Sequence, residues 1–267
     1  MTAEARLLDE LTFVASRAAA AILALPAAAL ARRNKPDGSP VTAADEASEA
    51  VIQAALRELL PGIPVISEET GGAVTALLGS RFVLVDPLDG TREFLAGRDE
   101  FTVNIAIVEN GTPRLGVIAA PARGVVWRGI VGSGAERLVL APGEPARAAR
   151  ERRPIRSRPR PAAGVVAVTS RSHFDAATQA WLRRLNPVQQ IRCGSSLKFA
   201  LIAEGIADVY PRLSPVSEWD IAAGHAVLLA AGGAVRTPAG APLSYGRSDL
   251  RIPAFVASGD PDQQYLF

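Results

Sequence analysis

Cysteine and histidine are scarce in this chain of 267 residues, and that scarcity excludes several kinds of protein. The one cysteine, Cys193, rules out an intramolecular disulfide framework. With only His173 and His225 beside it, the chain also lacks the Cys/His clusters of structural zinc sites. A Ser/His/Asp or Cys/His catalytic arrangement is equally absent from the sequence pattern. These observations favour a reduced, cytoplasmic protein.

A strong excess of charge of one sign is also missing. The 29 Lys and Arg residues nearly balance the 27 Asp and Glu residues, so the net charge is only +2 and gives no reason to expect nucleic acid binding. Long apolar runs are missing too. The Ala-rich run near the start is interrupted by Arg17 and Pro26, so it predicts a core helix and neither a signal peptide nor a membrane span.

The hydrophobic content of 48% indicates a compact globular fold. The periodicity of the apolar residues predicts the helices and strands of its first half. A mixture of helix and antiparallel sheet is predicted before residue 145, with hairpin turns at "ENGT" and "GSGA". In chain order the predicted elements are a helix over about 5–31, a loop with Lys35, a capped helix opened by Thr42, a short strand "PGIPVISEET", a buried strand from Phe82 and a strand meander over Phe101 to Leu140.

The second half has a different pattern. Residues Ala141 to Pro161 are dense in Arg and Pro, which predicts an exposed connection or sheet edge. Short strands then alternate with helices, one of them over about Phe174 to Leu185. The sequence therefore predicts an α/β protein with an N-terminal α+β half over residues 1–145 and a C-terminal α/β half over residues 146–267.

The stretch "VLVDPLDGTREF" carries two acids just beyond an apolar run. Pro87 restrains the backbone and Gly90 permits a tight bend, so the side chains of Asp86 and Asp89 can face one point. Carboxylates held together repel each other unless a proton or cation lies between them, and hard cations such as Mg²⁺ take oxygen ligands. For this motif alone, a turn whose acids merely cap the backbone remains an open alternative.

Further acids stand at the ends of predicted elements. Glu68 and Glu69 end a strand, and Asp220 begins the helix "WDIAAGHAV". Taken singly, Asp220 is typical of an N-cap and Asp45 of the acidic member of a capping box. The combination of these acids with the Asp86 motif is more specific than any one of them.

Four segments together resemble a known enzyme superfamily: "SEET", "DPLDGTREF", "GSSLKFALIAEGIADVYPRL" and "WDIAAGHAVLLAAGG". They are similar to the Mg²⁺-dependent, lithium-sensitive phosphatases that include inositol monophosphatase and fructose-1,6-bisphosphatase, from about Lys35 to Gly233. Within that superfamily, "SRSHFD", "GSSLKF" and "YPRL" most resemble the 3'(2'),5'-bisphosphate nucleotidases. The resemblance implies a layered αβαβα sandwich with the active site between its two halves.

The resemblance also implies a metal centre with two or three Mg²⁺ ions. One ion would be bound by Glu68, Asp86 and the backbone carbonyl of Leu88. A second would be bound by Asp86, Asp89 and Asp220, so that Asp86 bridges the two.

The catalytic group implied by the resemblance is Thr91 paired with Asp45, which would orient and deprotonate the attacking water, with Glu69 as an assistant. A threonine hydroxyl is too weak an acid to act alone, but one bonded to Asp45 can relay a proton. The backbone amides of Gly90 and Thr91 would hold phosphate oxygens. Without the resemblance, a Thr91 that only bonds the turn backbone remains an alternative.

The resemblance also implies a second group of residues that would bind the substrate. Ser195, Ser196 and Lys198 lie at a predicted helix N-terminus, which favours an anion, and Arg212 can make a bidentate phosphate contact. These residues would bind the non-reacting phosphate and the ribose, with residues 170–173 near the nucleoside. Ordinary helix capping and surface charge remain the alternative. Substrate contacts are further implied for Glu68, Leu88, Asp89, Gly90, Thr91 and Asp220.

The function implied by the resemblance is Mg²⁺-dependent hydrolysis of 3'-phosphoadenosine 5'-phosphate to AMP and phosphate, which would connect the protein to sulfate assimilation. A phosphatase for inositol 1-phosphate or another sugar phosphate is the nearest alternative, since it would share every metal ligand. A non-catalytic regulator that contacts RNA or the transcription machinery is a third, but five acids held together at electrostatic cost argue against it.

The expected partner is therefore a small phosphorylated nucleotide, and no nucleic acid. The chain is expected to be a monomer or homodimer in the cytoplasm. The resemblance adds contact with the inner face of the cell membrane as a peripheral protein.

Overall fold

The computed structural model describes residues 2–26, 33–34, 40–70, 79–172 and 174–263, so Lys35 with its predicted loop and His173 lie outside the described residues. The helices within these ranges are α1 (Ala3–Leu23), α2 (Ala43–Leu59), α3 (Thr91–Leu95), α4 (Ala176–Leu185), α5 (Leu197–Ala203) and α6 (Glu218–Ala230). The strands are β1 (Arg33–Asn34), β2 (Pro40–Val41), β3 (Val65–Ser67), β4 (Arg81–Asp89), β5 (Thr102–Glu109), β6 (Thr112–Ala120), β7 (Val125–Ile130), β8 (Gly134–Val139), β9 (Glu151–Ile155), β10 (Val166–Ser170), β11 (Gln189–Cys193), β12 (Val209–Arg212), β13 (Val216–Ser217), β14 (Ala234–Arg236), β15 (Arg251–Ile252) and β16 (Phe255–Ser258).

The larger sheet runs in chain order from β3 to β9 and has seven strands. Its first pair, β3 and β4, is parallel, and the pairs from β4 to β9 are antiparallel. The predicted hairpin at "ENGT" joins β5 to β6, where Asn110 and Gly111 both have positive φ angles of 50° and 74°. Two adjacent positive φ values are the signature of the tight turn that matches the twist of a hairpin.

The second sheet has five strands in the order β11-β10-β12-β16-β14 and mixes parallel with antiparallel pairs. Helices α1 and α2 pack on one face of the larger sheet, α5 and α6 pack between the two sheets, and α4 covers the outer face of the smaller one. These layers confirm the predicted αβαβα sandwich.

Strand β4 shows why its sequence is continuously apolar. Val83 and Val85 pack with α1 and α2, whereas Phe82 and Leu84 pack with α5 and α6. A strand covered on both faces has no solvent-facing positions, so the alternation of polar and apolar residues disappears. The acids that follow this strand are thereby brought to the inside of the molecule.

Helix α1 ends at Leu23, earlier than the predicted end near residue 31. Residue 25 precedes Pro26, and the position before a proline disfavours helical backbone. A search of the described helices finds none with the length and apolarity needed to cross a bilayer.

The Arg-rich segment from Ala141 to Pro161 forms part of the larger sheet. Its strand β9 pairs with β8 at the sheet edge and is exposed except at Ile155, and it contains Pro154, which an edge position tolerates. This confirms the predicted edge. Since β9 follows residue 145, the strand lies beyond the predicted boundary between the halves, and that boundary stays a prediction.

Replacing Gly116 with alanine should destabilise the layer that carries Asp220. A Cβ atom at Gly116 in β6 would lie 2.4 Å from the carbonyl oxygen of Ala223 and 2.8 Å from the Cβ of Ala226, both in α6. Gly116→Ala is expected to lower the free energy of unfolding by about 1–3 kcal/mol, as overpacking does. Urea denaturation measures this. Gly79→Ala is the control, because no atom of the described residues lies within 4 Å of its added Cβ. Equal stability of the two variants would contradict the packing argument.

Candidate active site

A polar cavity of about 350 Å³ opens beside the end of β4. Its walls come from the end of β4, from α3, and from the starts of α5 and α6. Predicted site residues that line it are Glu68, Asp86, Leu88, Asp89, Gly90, Thr91, Ser195, Lys198, Arg212 and Asp220. The sandwich therefore brings together residues that are up to about half the chain apart.

The end of β4 is a distorted strand that is fixed by its own hydrogen bonds. Asp86 pairs with Asn104 of β5 and Asp89 with Thr102, so the register shifts between the two acids. The backbone N–H of Leu88 donates to Oδ1 of Asp86 at 3.1 Å. Such a bulge bends a strand and redirects its side chains. Both acids consequently reach the same cavity, although they are three positions apart in the sequence.

Gly90 allows the chain to turn directly from this strand into α3. Its φ angle is 91°, in the left-handed region. A Cβ atom there would lie 3.0 Å from the backbone oxygen of Glu100 and 3.4 Å from the Cβ of Ser195. Glycine is therefore required both by the backbone conformation and by the approach of the opposite wall.

Three carboxylates meet at the floor of the cavity. Oxygen atoms of Glu68, Asp86 and Asp220 all lie within 4.8 Å of one another. Burial, and then the charges of Glu68 and Asp89, raise the pKa of Asp86 well above its usual value. Burial and the charges of Asp89 and Glu68 likewise raise the pKa of Asp220, while Arg212 opposes the shift.

Asp89 stands beside this group and is balanced by a nearby cation. Burial raises its pKa to about 6, and Lys198 is the largest influence in the opposite direction. Ser196 donates its backbone N–H to Asp89, and Asn104 donates its side-chain amide at 3.3 Å. Asp89 thus touches both the acidic floor and the loop before α5.

This donor set fits a hard divalent cation. Carboxylate and carbonyl oxygens are the preferred ligands of such ions. The repulsion that raises the pKa of Asp86 is removed when a cation binds between the carboxylates. The carbonyl of Leu88 lies in the cavity wall and has a lone pair left beside the one that accepts from Thr91 at 3.2 Å.

The predicted pair of Asp45 and Thr91 is in contact. The Thr91 hydroxyl donates to Oδ1 of Asp45 at 3.1 Å and lies 3.2 Å from the Leu88 carbonyl, so its single proton serves one of these acceptors at a time. The other oxygen of Asp45 accepts from the backbone and hydroxyl of Thr42, both at 2.8 Å. Asp45 is buried, and burial raises its pKa. The Asp45 carboxylate therefore serves both in the capping box of α2 and in the contact with Thr91.

Two basic side chains, those of Lys198 and Arg212, also line this cavity. Arg212 donates through Nε to the Ser214 carbonyl at 3.3 Å, and Lys198 donates to the carbonyl of Ser195 and lies 5.2 Å from the centre of the Tyr210 ring. Ser195 has a positive φ of 46°, and its buried hydroxyl has no hydrogen-bond partner within the part of the chain that the structure describes. A buried hydroxyl without a partner is costly, so it marks a position where a ligand atom can bind.

Three predicted residues are not among the described wall residues: Asp45 contacts the wall residue Thr91, and the other two are placed differently. Glu69 and Ser196 are absent from the cavity wall among the described residues. The Ser196 hydroxyl instead donates to Oδ1 of Asn104 at 2.6 Å and lies 2.8 Å from the Thr102 hydroxyl. Its backbone N–H, and not its hydroxyl, faces the acids. The catalytic part of Glu69 and the substrate contact of Ser196 stay predictions.

The segment "SRSH" lies only partly at the cavity. Ser170 and Ser172 line it, but Arg171 is engaged by Glu100 through hydrogen bonds of 2.7 and 2.6 Å. The positive charge of this motif, the Arg171 guanidinium, is therefore already paired with the carboxylate of Glu100. His173 lies outside the described residues.

Sequence reasoning missed several polar groups at the cavity. Arg92 and Arg251 line it from exposed positions, and Trp219 lines it next to Asp220. Asn104 supports Asp89 from behind. Only Asn104 had a recognisable signal, since it is an amide inside the apolar strand "TVNIAIVE".

Comparison with known proteins identifies the family. Residues 7–264 match the model of the inositol monophosphatase family, and the chain belongs to that family. The crystal structure of CysQ from Bacteroides thetaiotaomicron, described as a bacterial member of the same family, superposes with a TM-score of 0.81 at 35% identity, over 97% of this chain and 98% of that one. An inositol monophosphatase from Anabaena superposes with a TM-score of 0.76 at 28% identity, over 97% and 93% of the two chains.

Curated relatives give a narrower resemblance. The chain is 43% identical to a protein from Shigella flexneri over 233 residues, which are 84% of this chain and 87% of the relative. It is 43% identical to the protein of Escherichia coli K12 over 229 residues, with the same coverage. Both relatives are named 3'(2'),5'-bisphosphate nucleotidase CysQ.

Replacing Asp86 with asparagine should stabilise the metal-free protein near neutral pH. The folded pKa of Asp86 lies above its unfolded value, so the wild type loses stability as the pH rises from one to the other. Asp86→Asn has no such loss. We expect it to gain at least about 1 kcal/mol there, a melting temperature about 2–4 °C higher, and no gain below the unfolded pKa.

Thermal unfolding in the presence of a chelator measures this gain, and Asp262→Asn at an exposed position is the matched control. Added Mg²⁺ should raise the melting temperature of the wild type more than that of Asp86→Asn. A metal-free variant no more stable than the wild type at any pH would show that the buried charge carries no cost.

Proposed function

We propose that this protein is a Mg²⁺-dependent phosphatase that hydrolyses 3'-phosphoadenosine 5'-phosphate to AMP and phosphate. One observation carries the proposal: a single cavity is lined both by the acids Glu68, Asp86 and Asp220 and by the cations Lys198 and Arg212, here termed its acidic floor and its basic end. A substrate with two phosphates has one group for each end. The names of the curated relatives support the same substrate class.

The acidic floor would hold Mg²⁺ through Glu68, Asp86, Asp89, Asp220 and the carbonyl of Leu88. When bound, such ions lower the pKa of water and stabilise the leaving oxygen in an in-line displacement at phosphorus. The protein's own contribution is to hold these oxygens close together. The hydrogen bond from the Leu88 N–H to Asp86, at 3.1 Å, fixes one of them.

Thr91 and Asp45 would remove the proton of the attacking water. The hydroxyl of Thr91 already donates to Asp45, so it can accept a proton from water as it passes its own to the carboxylate. The hydrogen bonds from Thr42 leave one oxygen of Asp45 directed at Thr91. The amides of Gly90 and Thr91 would hold oxygens of the reacting phosphate.

The basic end would bind the 5'-phosphate, which does not react. Arg212 supplies a planar donor group suited to phosphate, and the unpartnered hydroxyl of Ser195 supplies another donor. Lys198 contributes positive charge from a buried position. The cavity volume of about 350 Å³ falls within the range of small-ligand sites.

The remaining features of the proposal concern the cell. A cytoplasmic enzyme that takes a small nucleotide and no nucleic acid is consistent with the balanced charge of +2. Monomer or homodimer, and peripheral contact with the inner membrane face, stay predictions.

Phosphate release from two substrates tests the proposal. Purified protein with Mg²⁺ is expected to hydrolyse 3'-phosphoadenosine 5'-phosphate faster than inositol 1-phosphate at equal concentration, because only the nucleotide reaches both ends of the cavity. Asp86→Asn serves as the control for a contaminating phosphatase. Faster hydrolysis of inositol 1-phosphate would overturn the proposed substrate. Release of phosphate from neither compound would favour a non-catalytic role.

Removing the Thr91 hydroxyl should affect turnover more than substrate binding. Thr91→Val is expected to lower kcat by about 10²–10⁴-fold, the usual contribution of general base catalysis, and to change KM little. Thr91→Ser should retain most of the activity. The control is Thr169→Val, since Thr169 is buried and its hydroxyl has no hydrogen-bond partner among the described residues. A Thr91→Val enzyme with normal kcat would rule out the relay.

A further inference from the structure

A small buried polar network links the two halves behind the acidic floor. Its members are Thr102 and Asn104 of β5 and Ser196, the residue before α5, and each is at most 1% exposed. Oδ1 of Asn104 accepts from the Ser196 hydroxyl at 2.6 Å and from the Thr102 hydroxyl at 3.2 Å. Its Nδ2 donates to Oδ2 of Asp89 at 3.3 Å.

The surroundings determine which way the Asn104 amide points. An ionised carboxylate can only accept a hydrogen bond, so the amide nitrogen must face Asp89. The hydroxyls of Ser196 and Thr102 can donate, so the amide oxygen faces them. Both ends of the amide are therefore used, which is the condition for a buried polar group to be tolerated.

Asn104 connects two parts of the site that the chain places far apart. On one side is Asp89, at the acidic floor; on the other is Ser196, which follows Ser195 and precedes Lys198. Ser196 also donates its backbone N–H to Asp89. Asp89 and the loop at Ser196 are therefore joined twice, once by this backbone hydrogen bond and once through the side-chain amide of Asn104.

We propose that Asn104 is a positioning residue that fixes Asp89 for the cation and, through Ser196, fixes the loop at Ser195 for the non-reacting phosphate. The proposal rests on the proposed function for the identity of that phosphate. Asn104 is not among the described wall residues of the cavity, although it donates to Asp89. Its effect is transmitted through Asp89 on one side and Ser196 on the other.

Direct binding measurements test this role without relying on turnover. Calorimetry would measure Mg²⁺ binding to the wild type and to Asn104→Ala, and then AMP binding, since AMP carries only the non-reacting phosphate. Loss of a residue that orients a metal ligand typically costs about 10–100-fold in metal affinity or activity. We expect Asn104→Ala to weaken Mg²⁺ binding by about that factor and AMP binding by several-fold.

The matched control is Thr102→Val, which removes one hydroxyl of the network and leaves the contact between Asn104 and Asp89. It should retain the Mg²⁺ affinity of the wild type within a few-fold. Should Asn104→Ala fail to fold, Asn104→Leu, which has a similar volume but no hydrogen-bond donor, is measured against the same criteria. A folded Asn104 variant with unchanged affinity for both Mg²⁺ and AMP would overturn the proposal and leave Asn104 with a structural role only.

The proposed function can fail separately. If the wild type releases no phosphate from 3'-phosphoadenosine 5'-phosphate, the substrate assignment is lost. A calorimetric loss of Mg²⁺ affinity in Asn104→Ala would still support the positioning of Asp89.

Discussion

Repulsion among the carboxylates that meet at the end of β4 is the constraint on which the rest of the site depends. Glu68, Asp86 and Asp220 approach within 4.8 Å, and burial together with their mutual charge raises the pKa of Asp86 and Asp220. Such a group separates unless rigid elements hold it or a cation neutralises it. The fold supplies the first condition, and the second defines the chemistry of the cavity.

Rigidity comes from the ways in which the acids are anchored. Asp86 accepts a backbone N–H from its own turn, and the Ser48 hydroxyl fixes the same turn by donating to the Pro87 carbonyl at 2.7 Å. Asp220 belongs to a capping box that begins α6, as Asp45 belongs to one that begins α2. Because α6 lies between the sheets, its first turn reaches the same point as the end of β4.

Local sequence was sufficient to predict the parts of this site that depend on local structure. The Asp-Pro-Leu-Asp-Gly turn, the capping box of Thr42 and Asp45 and the layered α/β class all follow from spacing, periodicity or the family resemblance. The other contacts depend on partners distant in the chain. Arg171 meets Glu100 across 71 residues, and the hydroxyl of Ser196 meets Asn104 across 92. The sequence around Arg171 and Ser196 does not show that each side chain is hydrogen-bonded to a distant residue. Apolar periodicity predicts which positions are buried, but it does not identify the partner of a polar side chain.

A crystal structure of the protein grown with Mg²⁺ and AMP tests the central claim most directly, since it shows both ends of the cavity in use. The account predicts cation density bound by Glu68, Asp86 and Asp220, with the AMP phosphate at Arg212 and Ser195. An acidic floor without a cation at saturating Mg²⁺, or an AMP phosphate bound away from Arg212, would contradict it.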